Sequence, residues 1–450
     1  MLVAPRTLSG FMELLPQKQV LFDHMVEALR SSFSLYGFCN LDTPLVESAA
    51  VLLAKGGGET EKQVYRFNKG DNDLALRFDL TVPLAKYVAL HYGQLSFPFR
   101  RFQIGKVYRG ERAQRGRFRE FYQADIDIIG DGALSILNEA EIPGVIYHSF
   151  RSLGLSDFII RINNRKVLNG LFAIFGLADH ADAVMRTLDK LEKIGAGRVA
   201  EILHDDLGVP VATCDELLAL LTCHLHGKSP LFSLAPYCGR SDLLDEGVEE
   251  LAKVAEHMAD FGVPETHFVI DLSVARGLDY YTGTVYETIM PQHPEIGSIC
   301  SGGRYDNLAE YYTTKPLPGV GISIGLTRLF YILDEMGYLN DNMLVAPADA
   351  LILPMMDDLG PAIAFATMLR GHGVRTQIYG EARKFKAKLN YADKLGVPYV
   401  VFLGEDEQKS GTVTVKNMRT GDQLTVSPEA AAEGIAAGLA PFKRQLVIST

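Results

Sequence analysis

Residues 117–130, RFREFYQADIDIIG, constrain the fold more than any other stretch of the chain. Read at a period of two, one set holds Phe118, Glu120, Tyr122, Ala124, Ile126 and Ile128. The other holds Arg117, Arg119, Phe121, Gln123, Asp125, Asp127 and Ile129. Successive side chains of a strand point to opposite faces. The segment therefore reads as a long strand, apolar on one face, with Gln123, Asp125 and Asp127 on the other. Such a polar face is either solvated or the floor of a ligand site. Residues 99–109 read as a second strand, joined to the first by a short, basic loop. Residues 100–120 hold eight Lys or Arg against two acids, a net of +6, in a chain whose formal charge is −11. A strand pair this basic should attract a polyanion. Phosphate is the natural candidate, because a guanidinium fork pairs with it bidentately.

The remaining organisation follows from pattern and punctuation. A length of 450 residues suggests about three domains. Residues 17–37 carry Val20, Leu21, Met25, Val26, Leu29 and Phe33 at helical spacing, ending at Gly37. Residues 165–260 read as mostly helical, with Gly/Pro breaks near 208–210 and 229–240. Strand signal returns at 267–290 and 297–304. Residues 349–404 then alternate strand and helix, a βαβαβ pattern with a mostly parallel sheet and the mark of a separate domain beginning near 340–348. No apolar run approaches the ~18–20 residues of a membrane helix. The first residues lack the basic and apolar regions of a secretory signal. The five cysteines, Cys39, Cys214, Cys223, Cys238 and Cys300, are odd in number and include no C-x-x-C. A disulfide framework is thus disfavoured and a reducing cytoplasm fits. Cys214, Cys223, His224 and His226 do not match the tight paired spacings of zinc sites, so no metal site is expected.

Two further segments carry chemistry-bearing residues. ARGLDYYTGTVYE, residues 275–287, sets Arg276 and Asp279 among Gly277, Gly283 and two adjacent tyrosines. If this segment is extended, Tyr280 and Tyr281 point to opposite faces, and at most one lines a given wall. GVGISIGLTRLF, residues 319–330, places small residues before a helix start, with Arg328 early in that helix. Glycines allow close backbone approach, and a helix N-terminus favours anions.

In this order the segments resemble the class II aminoacyl-tRNA synthetases, and specifically the histidyl-tRNA synthetase family. The helix and strand ending at Pro44 resemble motif 1, the dimer element. YRGE with FREFYQ resembles motif 2, and GISIGLTRL resembles motif 3. ARGLDYYTG resembles the histidine signature, LRFDLTVPLAKY (76–87) the substrate-amine segment, and SGGRYDNL (301–308) the Gly-Gly-Arg-Tyr-Asp strand. The tail KFKAKLNYADKLGVPYVVFLGEDEQKSGTVTVKNM is similar to the family's anticodon-binding domain.

The resemblance implies an α+β fold, with a mostly antiparallel catalytic sheet flanked by helices, a helical insertion and a C-terminal α/β domain. The implied divisions are 1–165 and 263–340 for the two parts of the core, 166–262 for the insertion and 346–450 for the anticodon-binding domain. It implies activation of L-histidine by ATP, with Mg²⁺, and transfer to tRNA(His) by a cytoplasmic homodimer. Arg109 and Arg276 match the catalytic arginines at the α-phosphate, and Arg109 also meets the substrate carboxylate. Glu111 matches the acid at the adenine amino group, and Arg328 the γ-phosphate arginine. Asp79, Leu80 and Thr81 match the segment at the α-amino group. Gln123, Asp127, Tyr280 and Tyr281 match the histidine pocket. Motif 3 usually has an acid before its arginine, where this chain has Thr327. Non-catalytic synthetase-like regulatory subunits of histidine biosynthesis share the core. They usually lack the anticodon-binding domain and lose catalytic positions, whereas this chain keeps both.

Overall fold

The computed structural model describes residues 2–54, 59–223, 229–275, 280–339 and 345–440. The described residues form two compact units, one drawn from 2–12 and 28–338, the other from 13–27 and 339–440. In the first unit the strands are β1 (Cys39–Asn40), β2 (Val46–Ser48), β3 (Arg66–Lys69), β4 (Asn72–Leu76), β5 (Phe99–Tyr108), β6 (Glu120–Ile129), β7 (Ile159–Asn164), β8 (Phe268–Ile270), β9 (Thr284–Ile289), β10 (Cys300–Tyr305) and β11 (Gly319–Ile324). Eight of them build one sheet in the order β1-β5-β6-β11-β10-β9-β7-β8, and β2, β4 and β3 make a small side sheet. The two end pairs of the large sheet, β1–β5 and β7–β8, are parallel, and every pair between them is antiparallel. The mostly antiparallel core expected from the sequence is present.

The alternation on β6 holds. Ala124, Ile126 and Ile128 are fully buried. The strand begins at Glu120 rather than Arg117, because Gln114 and Arg117 pair in a tight turn and Arg119 donates to Gly10 O at 2.7 Å. The strand signal over 267–290 resolves into two strands, β8 and β9. Asp271 ends the first by accepting from the Ser273 N–H at 2.9 Å and the Ser273 hydroxyl at 2.6 Å.

Glycines open the middle of the sheet. Directly across the strands lie Arg101, Asp127, Gly321, Gly303 and Val285, one per strand. A Cβ on Gly321 would sit 2.3 Å from Asp127 Oδ1, and one on Gly303 3.0 Å from the Tyr281 ring. The carboxylate and the ring therefore occupy space that any side chain would take. Beyond β7 the chain enters the helix Arg165–Ile174, capped by Asn164, whose side chain accepts from Lys166 N. This helix crosses Asp242–Asp260 at reciprocal glycines. A Cβ on Gly170 would lie 2.5 Å from Leu244 N, and one on Gly247 2.7 Å from Val167 N.

The second unit has strands β12 (Ala350–Pro354), β13 (Thr376–Ile378), β14 (Tyr399–Leu403), β15 (Val413–Asn417) and β16 (Gln423–Val426) in the order β13-β12-β14-β15-β16. The βαβαβ run over 349–404 gives the expected parallel pairs β12–β13 and β12–β14, and beyond that run β15 and β16 add antiparallel, so the complete sheet is mixed. Ala350 and Ile352 pack with Phe365, Leu369 and Ile435 on one face, and Leu351 and Leu353 with Ala392 and Val400 on the other. Burial on both faces explains why ALILP reads as a continuous apolar run. Among the described residues no helix is long and apolar enough to cross a membrane.

A Cβ on Gly302 would lie 2.1 Å from Gly321 O and 2.6 Å from Ile322 Cα, both backbone atoms of the next strand. Gly302→Ala should therefore destabilise the protein by about 1–3 kcal/mol, the scale of overpacking a sheet. The check is the urea midpoint against wild type; an unchanged midpoint would mean that the strands yield freely.

Candidate active site

A cavity of about 1230 Å³ opens over the polar face of β6. It exceeds what one amino acid needs and suits an amino acid together with a nucleotide. Its floor is braced by Arg101 on β5, which faces Asp127 directly across the two strands. Arg101 is fully buried, pairs with Asp127 Oδ2 at 2.6 Å and donates to Leu80 O at 3.1 Å. Tyr305 on β10 donates to Asp127 Oδ1 at 2.6 Å. Burial pushes the Asp127 carboxyl up to about 6, against the pull of Arg101 and Tyr305. Next along β6, Gln123 Nε2 donates to Ser323 Oγ at 2.5 Å. Asp125 is pushed by burial up to about 7, with Arg101 and Ser323 opposing the rise and Asp127 adding to it.

Arg109 enters from the end of β5. Its guanidinium lies 4.4 Å from the Phe78 ring centroid and 5.1 Å from that of Phe121, and its Nε donates to Phe78 O at 3.2 Å. Two rings and a carbonyl fix the plane of the group. Asp79 lines the same cavity and caps the helix Thr81–His91, with Oδ1 accepting from Thr81 N at 3.1 Å and Val82 N at 2.9 Å. Thr81 lines the cavity as well. Leu80 is fully buried and does not line the cavity, and its carbonyl accepts from Arg101.

Tyr280 and Tyr281 both line the cavity. This corrects the expectation that they face opposite ways. Residue 280 lies in a turn and β9 begins only at Thr284, so strand alternation does not apply. Their rings meet edge to face at 5.0 Å, and Tyr280 meets Tyr305 in the same way at 5.8 Å. The turn is tied down by Thr282 N, which donates to Arg304 O at 2.8 Å. Arg304 in turn pairs with Glu139 at 2.7 Å and Asp306 at 3.0 Å. Arg276 and Asp279 lie outside the described residues.

At the other end, Glu111 and Arg328 line the cavity. Glu111 pairs with Arg117 at 3.7 Å, and Arg328 donates to the carbonyls of Ser298 and Ile296. Thr327 is buried, and its hydroxyl accepts the Tyr122 N–H at 2.8 Å, joining the helix Leu326–Glu335 to β6. The basic run divides its charges among several partners. Arg100 pairs with Glu141, Lys106 with Glu120 and Arg115 with Glu335, each within 3 Å. Of the run, only Arg109 and Arg117 line the cavity beside Glu111. The far wall comes from the helical segment and includes Arg186, Asp189 and Lys190. Sequence reading missed Arg101, Tyr305 and Ser323 as members of the site. The spacing of Arg101 on β5 carries a signal, since it faces Asp127 once the hairpin register is known.

An antiparallel sheet with this floor, an arginine at the end of one strand and a second arginine early in the following helix is the catalytic architecture of a class II aminoacyl-tRNA synthetase. A family model for histidyl-tRNA synthetase matches residues 10–329, and one for an anticodon-binding domain matches residues 349–437. A histidine–tRNA ligase of Clostridium tetani is 52% identical, over 96% of this chain and 98% of its own. One from Xanthomonas campestris is 44% identical over 99% of both chains. The crystal structure of a histidyl-tRNA synthetase from Nostoc superposes with a TM-score of 0.88 at 37% identity, covering 97% of this chain and all of that one. The chain belongs to the histidyl-tRNA synthetase family.

The raised carboxyls make a stability prediction. A free Asp titrates near 3.9, so between about pH 4 and 7 the folded state holds protons that the unfolded state has lost. Asp125 and Asp127 therefore favour folding more as pH falls from 7.5 to 5.5. Asp125→Asn should shrink the stability difference between those two pH values by roughly 1–2 kcal/mol. Urea unfolding of both proteins at the two pH values measures it, and an equal difference in both would place the proton elsewhere.

Proposed function

We infer that this chain is a histidine–tRNA ligase, which activates L-histidine with ATP to histidyl-adenylate and pyrophosphate and then transfers histidine to the 3′ end of tRNA(His). The observation that carries the reading is the floor, where a buried acceptor, Asp127, is braced by Arg101 and Tyr305 beneath a wall of tyrosines. A neutral imidazole has one donor and one acceptor nitrogen. Asp127 accepts from the first, and Tyr280 or Tyr281 donates to the second. An apolar side chain of similar size would leave these groups unpaired, which gives strong discrimination. Asp79 and Thr81 serve the α-amino group, and Gln123 belongs to the histidine pocket.

In the first step a carboxylate oxygen of histidine attacks the α-phosphorus in line, and the bond to pyrophosphate breaks. Two anions approach, so fixed guanidinium groups lower the barrier. Arg109 and Arg276 take that role at the α-phosphate, Arg328 at the γ-phosphate, and Glu111 meets the adenine amino group. No side-chain nucleophile is required. Among the described residues no group of three or more acidic, His or Cys side chains gathers to hold a metal. Glu287 is buried against Arg161 and Glu111 pairs with Arg117, so a Mg²⁺ here would be carried by phosphate and water rather than by protein carboxylates. Mg²⁺ in that place would offset phosphate charge. The four divisions of the sequence then serve as catalytic core (1–165 and 263–340), insertion (166–262) and anticodon-binding domain (346–450), in a cytoplasmic homodimer. The regulatory-subunit alternative is disfavoured by the retained Arg109, Arg276 and Arg328 and by the anticodon-binding match.

Purified protein should catalyse histidine-dependent exchange of pyrophosphate into ATP and should charge tRNA(His). Arg109→Ala and Arg276→Ala should each slow exchange about 10²-fold or more, the scale of losing a preorganised transition-state donor. A folded wild-type protein that exchanges nothing would return the regulatory alternative.

A further inference from the structure

Behind the tyrosine turn lies a cluster of charges that the reaction above does not use. Arg304 and Tyr305 are neighbours on β10, so their side chains leave the strand on opposite faces. Tyr305 goes to the floor, where it meets Asp127. Arg304 goes the other way. Its Nη1 donates to Glu139 Oε1 at 2.7 Å and to Leu134 O at 3.1 Å, and its Nε donates to Asp306 Oδ1 at 3.0 Å. Glu139 stands on the helix Ile136–Ser152 and is fully buried. That turn of the helix is itself held to β9, because the Tyr286 hydroxyl donates to Glu139 O at 2.7 Å. The second oxygen of Asp306 accepts the Thr282 hydroxyl, while the Thr282 N–H donates to Arg304 O at 2.8 Å. A Cβ on Gly283 would lie 2.8 Å from Arg304 Cδ, so the stem of the arginine fills the space beside the turn. None of Glu139, Thr282, Arg304 or Asp306 lines the cavity.

A buried ion pair is a poor source of stability, since desolvation offsets its attraction. What this one supplies is orientation. A guanidinium is a planar fork with fixed donor directions. Carboxylates from two elements hold that fork in one plane, and Asp306 passes the placement to Thr282, the residue directly after Tyr281. The tyrosine rings also touch each other and Tyr305, but edge-to-face packing alone lets rings slide. A hydroxyl that must reach one ring nitrogen has to be held to within about 0.5 Å by groups that are themselves locked. We propose that Arg304, Asp306 and Glu139 are positioning residues for imidazole recognition: acting through Thr282, they fix the Tyr280–Tyr281 turn relative to Asp127 and so set the affinity for histidine without touching it. This rests on the histidine-activating reading above. The nucleotide end is held by other contacts, Glu111 with Arg117 and Arg328 with the Ser298 carbonyl, so the cluster acts on one substrate and not on the other.

Histidine-dependent pyrophosphate exchange by the full-length protein tests this through separate KM values for histidine and ATP. Thr282→Val keeps the side-chain shape and removes the hydroxyl that Asp306 accepts. It should raise the KM for histidine about 10-fold, the loss of one charge-assisted hydrogen bond, and leave the KM for ATP within about 2-fold. Thr282→Ser, which keeps the hydroxyl, should behave as wild type. Asp306→Ala should repeat the effect of Thr282→Val. The two changes together should exceed either alone by no more than about 3-fold, because both cut the same link. Equal rises in both KM values, no rescue by Thr282→Ser, or effects that multiply to about 100-fold would overturn the proposal and leave the cluster a structural one. If Asp306→Ala does not fold, the two Thr282 variants decide. A wild-type protein that exchanges nothing with histidine would instead remove the reading on which the proposal rests.

Discussion

Arg101 and Asp127 hold the catalytic unit's site together. They face each other across β5 and β6 with almost no exposure to solvent, and each needs the other, because a buried charge left alone costs about 3–5 kcal/mol. The same guanidinium holds the Leu80 carbonyl, and the same carboxylate receives the Tyr305 hydroxyl. Through these contacts one ion pair joins the floor strand, the helix start that carries Asp79 and Thr81, and the strand β10 that meets the tyrosine turn. The orientation of Asp127 toward the cavity is thus fixed before any substrate arrives. Gly321 makes the arrangement possible by leaving its own Cβ position to the carboxylate.

The anion-binding side is built differently. A chain of net charge −11 cannot hold phosphate by bulk attraction. It needs guanidinium groups that are withheld from its own acids. Most of the basic run is spent on local ion pairs, but Arg109 hydrogen-bonds a carbonyl and lies between two phenylalanine rings. That surrounding restrains the side chain, while Asp79, Glu111 and Asp125 act on its charge without a direct ion pair. Preorganisation of this kind lowers a barrier more than the same charge on a mobile side chain.

How much of this the sequence discloses depends on the range of the interaction. The strand alternation on β6 is local, and it exposed the polar floor directly. The resemblance to the family's motifs brought Asp79, Arg109, Gln123, Asp127 and Arg328 forward, and all line one cavity. Arg101 was not legible because its partner is set by hairpin register, which depends on how the loop 109–119 folds. The tyrosine pair was misread because a turn, held from outside by Arg304 and Asp306, replaces the extended chain. In the second unit, β15 and β16 have the same local pattern whether they pair parallel or antiparallel, so only the fold decides the sheet's character.

The Thr327 hydroxyl is small, yet it sets a length. By accepting the Tyr122 N–H it pins the first turn of the helix carrying Arg328 to the strand carrying Gln123, Asp125 and Asp127. The cation at one end of the cavity and the acceptors at the other are therefore mounted on a single rigid frame. Neither Thr327 nor Tyr122 lines the cavity, so the spacing of the residues that do is set by a bond outside its wall.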